Sequence, residues 1–123
     1  MGRRLRVLLA DDEVDSRQTA RFLLEQDGRF DIVGEASDGE ECVRAAYDLQ
    51  PDAVVVDLHM PALDGMAAIP LLRRGVPGAS IVVLSVTKDA AVRREATRLG
   101  ADTYVAKADI DGLPDAVVGC FGE

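Results

Sequence analysis

Five short apolar runs, rich in β-branched residues, recur along the chain, and stretches of helical spacing separate them. The runs are Leu5–Ala10, broken only by Arg6, then Phe30–Ala36, Ala53–Val56, 81–84 and Thr103–Ala106. Continuous apolar runs of this length suit strands covered on both faces, which is how parallel sheets read. Between and after them, apolar positions fall three and four apart: Val43, Ala46 and Tyr47; Val92, Ala96 and Leu99; Leu113, Ala116, Val117, Cys120 and Phe121. Ser37-Asp38-Gly39-Glu40 matches a capping box, with Ser37 as the cap. Asp89 is placed to cap the next helix and Gly100 to stop it. Residues 15–26 and 66–74 fill the remaining gaps. Pro70 is expected to kink the second of these or keep it short. Gly119 and Gly122 are expected to weaken the last helix near its end.

Strand and helix alternating five times predicts an α/β domain, a doubly wound (βα)5 parallel sheet of five strands with right-handed crossovers. Alternation leaves strand order open. The flavodoxin-like order 2-1-3-4-5 is the doubly wound solution expected here.

Composition narrows the class. A chain of 123 residues, 48% hydrophobic and 29% charged, reads as one domain spanning 1–123 with an ordinary soluble core. A net charge of -8 repels a phosphate backbone, so direct nucleic-acid binding is not expected. No apolar run approaches the roughly 18 residues a membrane span needs. The basic start, Met1 to Arg6, lacks the uncharged core of a signal peptide, so a cytoplasmic protein is expected. The two cysteines, Cys42 and Cys120, have no metal-ligand spacing and read as buried thiols on apolar helix faces.

In parallel sheets, ligands bind beyond the carboxyl ends of the strands. The first run is followed by Asp11 and Asp12, the third by Asp57, the fourth by Ser85 and the fifth by Lys107. Each has an ordinary reading alone. Asp12 and Glu13 precede a helix whose dipole favours acids, Asp57 closes a strand, Ser85 is a strand-end hydroxyl and Lys107 a solvated lysine. Together they put three carboxylates, a hydroxyl and an ammonium around one crevice. Three close carboxylates ionise together only beside a cation, and an all-oxygen set suits Mg²⁺. Asp57 could then attack phosphorus and carry an acyl phosphate, with Lys107 and Ser85 contacting phosphoryl oxygens.

These residues resemble the receiver domains of bacterial response regulators, and the resemblance covers essentially the whole chain. It rests on Asp11-Asp12 after the first strand; on Asp57-Leu58-His59-Met60-Pro61-Ala62-Leu63-Asp64-Gly65; on Leu84-Ser85; and on the segment Gly100 to Lys107 with its aromatic Tyr104. The resemblance implies that a sensor histidine kinase phosphorylates Asp57. It implies Mg²⁺ held by Asp12, Asp57 and the backbone carbonyl of His59, with Asp11 acting largely through water. Ser85 and Tyr104 would form a switch pair, Ser85 moving toward the phosphoryl group and the Tyr104 ring following inward. His59 and Thr87, each two residues past a key position, would modulate acyl-phosphate lifetime. A homodimer formed on phosphorylation is also in keeping with the family.

The chain departs from the family at Ala108, where proline usually follows the lysine. A trans Lys107–Ala108 bond and a somewhat different lysine path are expected. The pairs Ser85-Val86 and Lys107-Ala108 resemble receivers attached to LuxR-type helix-turn-helix domains, which implies control of transcription by an output domain outside this sequence; a stand-alone receiver is the alternative. Two other readings compete. A phosphatase of the haloacid-dehalogenase type usually carries a second aspartate where this chain has His59. A pseudo-receiver, an interaction module needing no phosphate, lacks support because every required residue type is present. A non-enzymatic switch, with slow self-dephosphorylation at most, is the expectation.

Overall fold

Five parallel strands in the order β2-β1-β3-β4-β5 form the centre of the computed structural model, which describes residues 3–121. The strands are β1 (Leu5–Ala10), β2 (Phe30–Ala36), β3 (Ala53–Val56), β4 (Ser80–Ser85) and β5 (Thr103–Ala106). The helices are α1 (Val14–Asp27), α2 (Gly39–Leu49), α3 (Gly65–Gly75), α4 (Ala90–Leu99) and α5 (Leu113–Gly119). This is the expected flavodoxin-like arrangement, in the strand order that alternation alone left open.

Side chains alternate across each strand and feed two cores. Leu8, Val54, Val56, Ile81 and Val83 pack with Cys42 and Ala46 of α2, Ile69 and Leu72 of α3 and Ala96 of α4. Val7, Leu9, Val55, Val82 and Leu84 pack on the opposite face with Ala20 and Leu24 of α1 and Leu113 and Val117 of α5. Cys42 lies fully inside the first core, where burial pushes its thiol up to about 12. Among the described residues no helix is long and apolar enough to cross a membrane.

Local details depart from the sequence pattern. The α2 cap is Asp38 rather than Ser37: its carboxylate accepts from the Glu41 N–H at 2.7 Å, and Glu41 reaches back to the Ser37 N–H at 2.7 Å. The box is thus shifted by one residue, because two capping-competent side chains stand in a row. Helix α3 runs eleven residues straight through Pro70. The proline removes one backbone donor, but Ile69 and Leu72, both fully buried, hold the helix against the sheet. Strand β2 keeps the expected bounds, Phe30–Ala36, but Val33 is bulged where β1 passes from Val7 to Leu8.

The chain after β5 differs most. Lys107–Gly112 wind as a 3-10 turn kinked at Asp109, and α5 keeps only seven residues, starting at a proline-bearing turn. It stops at Gly119, while Gly122 lies outside the described residues. The expected stripe therefore fails at its end. Cys120 is only half-buried and Phe121 is 40% exposed, because the helical period that would turn them inward has already ended. The Lys107–Ala108 bond is trans, as expected.

One arginine ties the end of the sheet remote from the strand-end carboxylates. Arg73 of α3 donates to the carbonyls of Pro77, Ala79 and Gly100 and to Asp102 Oδ2, at 3.3, 2.8, 2.7 and 2.6 Å. Asp102 Oδ2 also accepts from the Ile81 N–H at 2.8 Å. Two loops, α3–β4 and α4–β5, thus share one guanidinium. Arg73→Ala would orphan those carbonyls and is expected to cost about 2 kcal/mol, with the half-exposed ion pair contributing least. Urea denaturation checks this: a midpoint unchanged from wild type would contradict it.

Candidate functional site

Because all strands run the same way, the carboxyl ends of β1, β3, β4 and β5 open on one edge. Asp11 is fixed there by its N–H to the Ala36 carbonyl at 3.0 Å, and Asp57 by its N–H to the Ala10 carbonyl at 3.0 Å. Arg17 of α1 donates to the Asp11 carbonyl and to Glu35, pinning the loop that carries the acidic pair. The β3–α3 loop is held close to β3. A Cβ at Gly65 would stand 2.1 Å from the Asp57 carbonyl oxygen, so only glycine admits this approach. Between them, Ala62 takes a left-handed φ of 66°, and the Leu63 N–H donates to the Pro61 carbonyl at 2.8 Å across it. This tight γ-type turn stores strain beside the site.

The expected residues meet. Lys107 Nζ stands 2.9 Å from both Asp57 Oδ2 and Asp11 Oδ2, and 3.1 Å from Glu13 Oε1. Asp57 Oδ1 accepts from the His59 N–H at 3.0 Å, and Asp11 Oδ1 from the Glu13 N–H at 2.9 Å. Asp11 and Asp57 are each 4% exposed, while Asp12 and the His59 side chain face solvent. A crevice of about 230 Å³ is lined by Asp12, Glu13, Asp57, His59, Val86 and Lys107.

Charge follows position. Burial pushes Asp11 above its ordinary value, and the hydrogen bond from Glu13 and the contact with Lys107 only partly offset it; the neighbouring Asp57 adds to the rise. Burial works against the Lys107 ammonium, but its bonds to Asp57 and Asp11 outweigh that and raise its pKa. Lys107 lowers Glu13, which the sequence read only as a helix-start acid.

Three observations bear on a metal. Carboxylate oxygens of Asp11, Asp12 and Asp57 lie within 4.8 Å of one another. Among the described residues, Asp11 Oδ2 is buried without a well-aligned hydrogen-bond donor, Lys107 approaching it only as an ion pair. Hard oxygens alone make up the set, which fits Mg²⁺.

Ser85 and Tyr104 lie behind the crevice. Ser85 is fully buried, and among the described residues its Oγ has no well-aligned hydrogen-bond partner beyond its contact with the Tyr104 hydroxyl. Tyr104 is 9% exposed, with its hydroxyl donating to the Thr87 carbonyl at 2.9 Å. Burial pushes this phenol above its ordinary value. The ring therefore already lies inward, and Thr87 meets it through backbone.

Comparison with known proteins agrees with this geometry. The model of the response regulator receiver domain matches residues 7–117. A protein-glutamate methylesterase/protein-glutamine glutaminase of Maricaulis maris is 38% identical over 113 residues, 90% of this chain and 28% of that protein. The chain spans less than a third of the length of this and similar curated relatives. The response regulator domain of Thermotoga maritima CheB superposes with a TM-score of 0.91 at 26% identity, covering 98% of each chain. A LuxR-family two-component response regulator from Aurantimonas sp. SI85-9A1 gives 0.91 at 30% identity, covering 98% of this chain and 87% of that one.

Proposed function

The chain belongs to the response regulator receiver domain family, and from that membership we propose that it is a phosphoacceptor switch charged on Asp57 by a sensor histidine kinase. A carboxylate oxygen of Asp57 attacks phosphorus. The new O–P bond forms as the P–N bond of the kinase phosphohistidine breaks, and the electron pair returns to the imidazole nitrogen. Asp11, Asp12, Asp57 and the His59 backbone carbonyl would hold Mg²⁺, which when bound offsets charge between the carboxylates and the phosphoryl oxygens. Lys107 supplies a positive charge at the reacting carboxylate, and the Ser85 hydroxyl, at the end of β4, would donate to a phosphoryl oxygen. The observation that carries this reading is the ammonium of Lys107 at 2.9 Å from both Asp57 and Asp11, on the edge where the β1, β3 and β5 ends meet.

The proposed output of phosphorylation is a change at the surface around α4, β5 and α5, transmitted by Ser85 and Tyr104, with a homodimer as one product. Nothing in this scheme requires the acidic chain to touch nucleic acid. Slow loss of phosphate, rather than turnover of esters, completes the cycle. Incubation with acetyl phosphate and Mg²⁺ tests the scheme: one phosphoryl group per chain, mapped to Asp57 by mass spectrometry, is expected. No adduct with either acetyl phosphate or beryllofluoride would overturn it.

Three outputs are compatible with the chain, one of them a stand-alone receiver acting through its own surface. The Ser85-Val86 and Lys107-Ala108 pairs and the similarity to a LuxR-family regulator support transcription through a helix-turn-helix domain. The 38–40% identity to methylesterase receivers supports an effector enzyme domain instead. The parent reading frame distinguishes them.

His59 lines the mouth of the crevice and is exposed. His59→Ala is expected to admit water and speed dephosphorylation about fivefold, a barrier change near 1 kcal/mol. A decay rate of the phosphorylated variant equal to wild type would end the idea.

A further inference from the structure

Arg93 of α4 stands over the Tyr104 ring, its guanidinium carbon 5.1 Å from the ring centroid. The same guanidinium donates to the Tyr104 carbonyl at 3.1 Å. The ring is thereby held three ways: by the cation on its face, by its own backbone and by its hydroxyl bond to Thr87 at 2.9 Å. Arg93 sits one turn past the Asp89 cap, whose carboxylate accepts from Ala91 at 2.8 Å, so the arginine projects from the anchored end of α4. A small cavity lined by Lys88, Arg93, Tyr104, Ala106 and Asp109 lies beside the ring. That space gives an unheld ring somewhere to go.

We propose that Arg93 is a positioning residue of the switch, holding Tyr104 in its inward place through the ring face and the backbone carbonyl together and so favouring the state that accepts a phosphoryl group. The inference rests on the reading of Ser85 and Tyr104 as a switch pair. The cation–ring contact exists with the ring inward and is lost when it swings out, so it contributes differentially to the two states, as any such bias requires. If only a fraction of chains carries the ring inward, the apparent dissociation constant of a phosphoryl mimic rises by the reciprocal of that fraction. Two measurements must then agree.

The test uses the full chain with its tyrosine rings isotope-labelled for NMR, Tyr47 serving as the internal reference. Inward occupancy of Tyr104 and the affinity for beryllofluoride at saturating Mg²⁺ are measured in wild type, R93A and R93K. The expected result is that R93A moves Tyr104 outward and raises the beryllofluoride dissociation constant by the matching factor, of order fivefold. Affinity for Mg²⁺ alone, read from backbone shifts at the acidic pair, is expected to stay unchanged. R93K keeps a cation over the ring and is expected to recover most of both effects, which general loosening of α4 would not do. An R93A chain with Tyr104 as inward as wild type would overturn the proposal. So would an outward ring with undiminished beryllofluoride affinity. If the wild type itself bound no beryllofluoride, the phosphoacceptor reading would fall first, a result separable from either of these.

Discussion

Asp57→Asn is expected to abolish phosphoryl acceptance, lowering the rate by at least about a thousandfold, while leaving the domain folded. The amide keeps the shape of the carboxylate and can still accept from the His59 N–H, which meets Asp57 Oδ1 at 3.0 Å. What it lacks is a nucleophilic anionic oxygen. Lys107 loses one carboxylate but keeps Asp11 and Glu13 at 2.9 and 3.1 Å, so the 3-10 turn that carries it stays tethered. Asp11, raised first by burial and further by the charge of Asp57, should titrate nearer its ordinary value in the variant. Intact-mass measurement after acetyl phosphate and Mg²⁺ reads the loss. A variant still phosphorylated at the wild-type rate would mean that another residue is the acceptor.

Gly65→Ala is expected to damage stability and function together. The added carbon would lie 2.1 Å from the Asp57 carbonyl oxygen and 2.6 Å from the Leu58 Cα. Both are backbone atoms, so no rotamer change relieves the clash. Either β3 yields at its end or α3 lifts away, breaking the Gly65 N–H bond to the Leu58 carbonyl at 3.0 Å. Overpacking of this kind costs about 2–4 kcal/mol, and for a domain of this size that lowers Tm by about 10 °C. Because Asp57 sits on the displaced segment, a shift near 1 Å is also expected to slow phosphorylation by about a hundredfold. Gly78→Ala is the control: nothing lies within 4 Å of a Cβ there. Equal melting of the Gly65 and Gly78 variants would refute the close-approach argument.

The sheet was legible because the central strands, β3 and the core of β4, are unbroken apolar runs, and two buried faces leave little else such a run can do. The crevice was legible because parallel strands send the residues that follow them to one edge, which brings Asp11, Asp57, Ser85 and Lys107 together from distant positions. Residues acting across loops were not legible. Arg73 reads as a basic residue at a helix end, yet its partners lie as many as 29 residues away. Glu13 reads as a helix-start acid, yet it reaches Lys107 across 94 residues. The only hint was its adjacency to the acidic pair. Arg93 carries no signal at all, because it lies on α4 while its partner ring is on β5, 11 residues away. The end of the chain was misread because the apolar spacing continues to Phe121 although the helix has already stopped at Gly119. Periodicity reports where a helix would bury residues, not whether its last turn forms.

The ammonium shared by Asp11 and Asp57 belongs to the fifth strand's end, while both acids belong to the first half of the polypeptide. During synthesis, the ribosome delivers the two like charges well before the residue that reconciles them. A nascent chain that has built β1 and β3 holds two adjacent anions with no Lys107 between them, and they resist being brought together. Assembly of the reactive edge is thus tied to emergence of the final third of the chain, which discourages a truncated product from acquiring a working acceptor.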